Sequence, residues 1–309
     1  MLRQDPLISD RTPLWSLLRI TLTLLTGVLA GSVIAPSLTA FVFDREIALT
    51  GSMDESMAMP MLFIQGVVSF VAFILFPILH ITALEHKPLM PLVDERTHLG
   101  QTLLLVTILG LAFPLAISPI QEWNAHLQFP DFMAGFEHWA RQQEDLANSM
   151  TELVTNFDTV GELLIALLVM AVIAGIGEEL VFRGMIQNEL WRGSNNIHLA
   201  IWVSAFVFSA IHIQFFGFIP RLLLGALFGY LYYWSGNLIV PMVAHFVNNA
   251  FGVIMRYLYN IKVISTDVEE VDAAPWSVVI VCTIVAVLLI YQLRRFNLNP
   301  PAEASHKSF

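Results

Sequence analysis

Charge is scarce in this sequence. Asp, Glu, Lys and Arg together supply 13% of its 309 residues while hydrophobic residues supply 56%, about half the charged share of an ordinary soluble domain. Cysteine is rarer still. Cys282 stands alone inside the last apolar run, so there is no disulfide framework and no cysteine-based metal site. Basic residues are in the minority, 15 against 25 acidic ones, for a formal net charge of -10. That balance argues against nucleic acid as a partner and against a polybasic surface for anionic lipid. Internal repeats and low-complexity tracts are also absent.

What the chain has instead is hydrocarbon. Its mean hydropathy is +0.69. Nearly uncharged runs long enough to cross about 30 Å of bilayer core, roughly 20 helical residues, recur along almost its whole length. Eight spans are expected: Leu14–Phe41, Met59–Leu84, Leu99–Ile120, Gly161–Trp191, Ile197–Phe216, Ile219–Trp234, Leu238–Tyr259 and Trp276–Leu293. The fold class is therefore an all-α polytopic membrane helix bundle with the lipid bilayer as its solvent. The first span exceeds a signal-peptide core in length and is followed by others, so it reads as a retained anchor. With the N-terminus inside, inner segments hold Arg3, Arg11, Lys87, Arg96, Arg192, Arg294, Arg295 and Lys307, and outer ones Arg45, Arg141, Arg221, Arg256 and Lys262. This bias favours a multi-pass protein of the cytoplasmic membrane with both termini inside.

One long connection, about 121–160, carries its own pattern. Phe132, Phe136, Trp139, Leu146, Met150, Leu153 and Phe157 recur at steps of four and three, with only Gln143 interrupting, while Glu137, Glu144, Asp145 and Glu152 fall on other faces. The spacing predicts an amphipathic helix, lying at the interface or packed on the bundle; a lid over a cavity is the alternative. Three regions follow: an N-terminal transmembrane part with this connection (1–160), a helix core expected to carry the chemistry (161–260), and a final helix with a polar tail (261–309).

Ionisable residues inside apolar spans are costly unless paired or hydrated, so each one suggests function. In GIGEELVFRG, Glu179 and Arg183 are four apart, with the acid first, which suits an ion pair. Glu178 lies about 100° around the helix and is the carboxylate left over. His212 stands toward the end of the fifth span, and His245 and Asn249 share one face of the seventh. If the fourth helix continues past Arg183 to about Trp191, Glu178 and His212 both fall roughly 20 Å from the same membrane face, with His245 and Asn249 at roughly 12–18 Å. Gly175 and Gly177 are expected to leave room for a shared polar pocket. A carboxylate and a histidine can activate water, and a second histidine with an amide can donate to an oxyanion. The same groups contain a possible zinc set of Glu178, His212 and His245, although Asn249 is not a usual zinc ligand, so no cofactor is expected.

With these residues in view, the sequence resembles the CAAX-protease and bacteriocin-processing (CPBP, or Abi) family of intramembrane proteases. The family's EExxxR appears as Glu178, Glu179 and Arg183, its FxxxH as Phe208 and His212, and its HxxxN as His245 and Asn249, in the family's order across 161–252. The resemblance implies an endopeptidase acting on membrane-associated peptides or proteins, such as prenylated tails or leader peptides. Glu178 and His212 would then activate water, Arg183 and Glu179 would support the carboxylate geometry, and His245 and Asn249 would stabilise the oxyanion. Two other classes stay open: a transporter using a Glu/His proton relay, and a non-catalytic membrane scaffold or immunity protein.

Overall fold

The structure is a computed structural model that describes residues 11–44, 55–87, 99–265 and 273–298. Arg3, Arg45, Arg96 and Lys307 of the charge count, and the polar tail, lie outside the described residues. The elements in chain order are α1 (Pro13–Phe43), α2 (Ala58–Leu84), α3 (Leu99–Ala116), the short α4 (Ser118–Ala125), α5 (Ala134–Thr155), α6 (Val160–Ser194), α7 (Ile197–Ala210), α8 (Phe218–Ser235), α9 (Ile239–Asn260) and α10 (Trp276–Leu298). Among the described residues there is no strand, and the chain is an integral membrane helix bundle as the hydropathy requires.

Among the described residues six helices (α1, α2, α3, α6, α9 and α10) are long and apolar enough to cross a membrane, so the expected count of eight is not confirmed. The fifth and sixth expected spans form a hairpin, α7 and α8, and α7 has 14 residues, about 21 Å of helix against about 30 Å of hydrocarbon. Its turn, 211–217, meets the connection between α3 and α6, where Asn124 and Glu144 bond it. A hairpin enters and leaves at one face, so the relative sidedness of every other helix is the same on either count.

Contacts at the helix ends fix that relative sidedness. Arg192 near the end of α6 bonds Glu189, the Arg11 carbonyl and the Ser16 hydroxyl, which ties it to the start of α1. Arg19 of α1 meets Glu85 just beyond α2 at 2.5 Å. At the opposite face, Asn260 at the end of α9 donates to the Thr155 and Phe157 carbonyls, and the Ala274 N–H donates to Ser118. The start of α1 and the ends of α2 and α6 thus share one face, and the α5–α6 junction lies at the other.

Local sequence explains the long α6. Thr159 and Glu162 form a reciprocal capping box at its start. Its end is set by Asn195 in a left-handed conformation (φ 52), after which the Asn196 side chain caps α7 by accepting from His198 and Leu199. The helix therefore continues past Arg183, as expected, and includes two π-helical stretches, Leu167–Ile173 and Leu180–Gln187, on either side of the Glu178–Glu179 turn.

Packing uses small residues where backbones meet. On α1, a Cβ at Gly27 would lie 2.8 Å from Ala72 Cα and one at Gly31 would lie 2.9 Å from Val68 Cα, so α1 and α2 cross closely. Between α6 and α8, Arg183 and Gln187 donate to the carbonyls of Gly225 and Gly229, one turn apart on each helix. One apolar cluster joins α3, α8, α9 and α10 through Leu109, Phe228, Ala244 and Leu293. Exposed residues such as Leu14, Leu29, Val33, Leu164 and Leu288 would be a large apolar patch in water and are the lipid-facing surface of this bundle.

Candidate active site

Glu178 and Glu179 sit side by side on α6 and have different surroundings. Glu179 is fully buried; its Oε1 accepts from Arg183 Nη1 and from His245 Nδ1, both at 2.8 Å. Glu178 is 19% exposed and faces the Nε2 of the same imidazole at 3.8 Å. His245 thus bridges the two carboxylates, hydrogen-bonded to one and just beyond hydrogen-bond reach of the other. Its ring stacks on Phe228 at 5.0 Å and meets Phe208 edge-on at 6.0 Å. Two aromatic walls and one carboxylate fix the imidazole plane.

The ion pair expected from the four-residue spacing forms, and the surrounding bundle completes it. Arg183 Nη2 donates to the Gly225 carbonyl at 2.8 Å, and its guanidinium carbon lies 4.8 Å from the Phe208 ring centroid and 5.5 Å from that of Phe228. The same rings therefore contact Arg183 and His245. A buried charge is tolerated only when paired and hydrogen-bonded, and here both conditions hold.

His212 follows the end of α7. Its Nδ1 lies 2.9 Å from the Phe208 carbonyl, which can only accept, so Nδ1 carries the proton and Nε2 is left as the free nitrogen. Its ring packs on Phe208 at 5.3 Å, and Phe208 contacts both histidines. Asn249, one turn after His245 on α9, donates from Nδ2 to the Met170 carbonyl of α6 at 3.0 Å and accepts from Asn248 at 3.1 Å. Its amide links α9 to α6 beside the site.

The turn at 211–217 is irregular backbone, so its polar groups need partners outside a helix ladder. The connection between α3 and α6 supplies them. Asn124 donates to the Phe215 carbonyl and accepts from the Ile219 N–H, while Glu144 of α5 accepts from the Phe216 N–H and from Gln214. Phe136 and Trp139 pack on Phe215 at 5.1 and 5.5 Å. Burial raises the pKa of Glu144, opposed by the hydrogen bond from Phe216 and by the charge of Arg221. Of the two sequence readings for the amphipathic segment, α5 covers the turn that carries His212 and also leaves its Leu146, and Phe132 just before it, exposed. Ile213, beside His212, has a φ of 55°, an outlier for a β-branched residue of the sort that persists where surrounding structure imposes it.

Several placements differ from the sequence reading. Glu178 faces His245, and Glu179 supports His245 rather than Glu178. Gly175 and Gly177 do not open a cavity: a Cβ at Gly175 would lie 3.2 Å from the Phe246 nitrogen and one at Gly177 would lie 2.7 Å from Phe73 Cβ, so both admit neighbouring helices. Arg221, counted among outer charges, is half-buried at the start of α8 and donates to Gln214. Neither it nor Asn124 and Gln214 carries a motif, and Glu144 stood out only as one polar position on the amphipathic helix. Among the described residues no three His, Cys, Asp or Glu side chains converge into a metal-holding group, so the set of Glu178, His212 and His245 is not arranged as zinc ligands.

Fold and site together define a polytopic membrane protein with a buried Glu–Arg–His cluster beside a more open carboxylate. Residues 160–251 match the family model described as type II CAAX prenyl endopeptidase Rce1-like, so the resemblance read from the three motifs is borne out over the helices that carry them. The uncharacterized protein YpbD of Bacillus subtilis is 32% identical over 85 residues, which is 26% of this chain and 40% of that relative. The match therefore spans about 40% of the relative's length. No solved structure matches the chain.

Proposed function

We propose that this chain is an intramembrane endopeptidase that hydrolyses peptide bonds of membrane-associated substrates with water activated by Glu178, without a metal. The observation that carries this reading is the placement of His245, with Nδ1 on buried Glu179 and Nε2 facing the more open Glu178 at 3.8 Å. Glu178 accepts a proton from the attacking water, and His212 turns its free Nε2 to that water across Phe208. The remaining hydroxide adds to the scissile carbonyl carbon. The proton returns through Glu178 and His245 to the leaving amine nitrogen as the C–N bond breaks, leaving a carboxylate and an amine. Glu179, held by Arg183, stabilises the positive charge when His245 is protonated, as a buried carboxylate does for a catalytic imidazole elsewhere. Asn249 secures α9 against α6 and retains one amide hydrogen for the oxyanion.

The substrate class is a membrane peptide or protein segment, and the location is the cytoplasmic membrane with both termini inside. The test is comparative peptide analysis of membranes from cells making the parent chain or Glu178→Gln. Membrane-derived peptides that accumulate uncut with the variant identify substrates, whereas indistinguishable peptide sets contradict the reading.

A further inference from the structure

Donor hydrogens in this site are largely committed. His245 Nδ1 serves Glu179, His212 Nδ1 serves the Phe208 carbonyl, Asn249 serves Met170, and Arg183 serves Glu179 and Gly225. Arg221 differs. Its Nη2 donates to Gln214 Oε1 at 2.9 Å and lies 3.2 Å from where a Cβ at Gly217 would stand. Its Nη1 is buried with no hydrogen-bond partner. Gln214 is itself anchored on Glu144 at 3.3 Å, so one edge of the guanidinium is clamped through α5 and the other is left unpaired. Through Gln214 the side chain is held on the turn that carries His212, two residues away, and its charge is felt at both Glu178 and His212. An unpaired donor in a buried setting is disfavoured unless something completes it.

We propose that Arg221 is a catalytic residue whose Nη1 donates to the carbonyl oxygen of the scissile peptide bond and holds it more strongly as it becomes an oxyanion. This rests on the endopeptidase reading. A guanidinium is always charged and keeps its geometry once one edge is clamped, which is what a preorganised oxyanion donor requires. Gly217 admits the guanidinium because it has no side chain.

The test uses the purified full chain in detergent with two probes: a pool of internally quenched apolar peptides of randomised sequence, and a capped phosphinic peptide of leucine whose tetrahedral anion mimics the intermediate. Arg221→Gln is expected to lower kcat by about 10²–10³ with KM within a few-fold, and to abolish the rise in melting temperature that the phosphinate gives the parent. Arg221→Lys, which keeps the charge but not the fork, is expected to recover part of both and supplies the same readout if Arg221→Gln does not fold. Equal phosphinate binding by parent and variants, or binding by neither, overturns the assignment. Unchanged kcat in Arg221→Gln overturns it too and leaves the endopeptidase reading standing. A parent that binds phosphinate through Arg221 yet cleaves nothing in the pool contradicts the endopeptidase reading instead.

Discussion

Glu179→Gln separates the two jobs of the buried carboxylate. Glu179 is 0% exposed, its Oε1 accepts from Arg183 and His245, and its Oε2 is buried with no partner. A glutamine fits the same space and can keep Oε1 as an acceptor, with its amide nitrogen placed where Oε2 now has nothing. What is lost is the charge. Removing one partner of a buried pair costs about 3–5 kcal/mol because the other is left uncompensated. Arg183 keeps the Gly225 carbonyl and the faces of Phe208 and Phe228, which favours the lower end, about 3 kcal/mol. At roughly 2–4 °C per kcal/mol for a chain of this size, melting in detergent should fall by about 6–12 °C. Turnover should fall by about 10⁴, the scale for losing the carboxylate that orients a catalytic imidazole. Adding Arg183→Met removes the orphaned charge, so the double variant should regain most of the stability and none of the activity. A Glu179→Gln variant that melts within about 2 °C of the parent and keeps turnover within a few-fold would refute the bridge, and so would a double variant that regains activity.

Other consequences follow from the same geometry. Exhaustive dialysis against a chelator should leave turnover nearly unchanged; stoichiometric zinc in active protein, lost in step with activity, would contradict this. Gly177→Ala places a methyl 2.7 Å from Phe73 Cβ, so α6 and α2 must separate, and thermal unfolding should show a loss of about 1–3 kcal/mol; an unchanged melting temperature would show that the crossing is looser than described. Burial raises the pKa of Glu144, so the docked state of α5 favours protonation. That docking is weakest above the raised value and gains as pH falls through it toward 4.5. Glu144→Gln should therefore increase hydrogen-exchange protection of residues 211–217 near neutral pH, corrected for intrinsic rates, and abolish its pH dependence; reduced protection would show that the carboxylate charge holds the turn.

The parts of this account that depend on one helix were legible in the sequence. Four-residue spacing was enough to pair Glu179 with Arg183, and counting rise per residue from the RGSNN turn was enough to extend α6 past Arg183. That Glu178 also faces His245 was not legible, because it depends on how α9 is rotated against α6, and spacing along one chain does not encode rotation between helices. Arg221 counts among the outer charges because it stands near the start of the sixth expected span; in the fold it is half-buried at the start of α8 and bonded to Gln214, a contact that spacing does not encode. Gly175 and Gly177 show a similar limit: small residues mark close approach, but only the neighbouring helix shows whether the space is empty or filled.

The central claim is that Glu178 activates water for peptide hydrolysis. Its most direct measurement is the turnover number of purified Glu178→Gln against parent on the quenched apolar peptide pool, with both proteins monodisperse in detergent and equal in melting temperature. The account predicts cleavage by the parent and none above background by the variant, since the glutamine keeps the shape and loses the base. Cleavage by Glu178→Gln within a few-fold of the parent would contradict it.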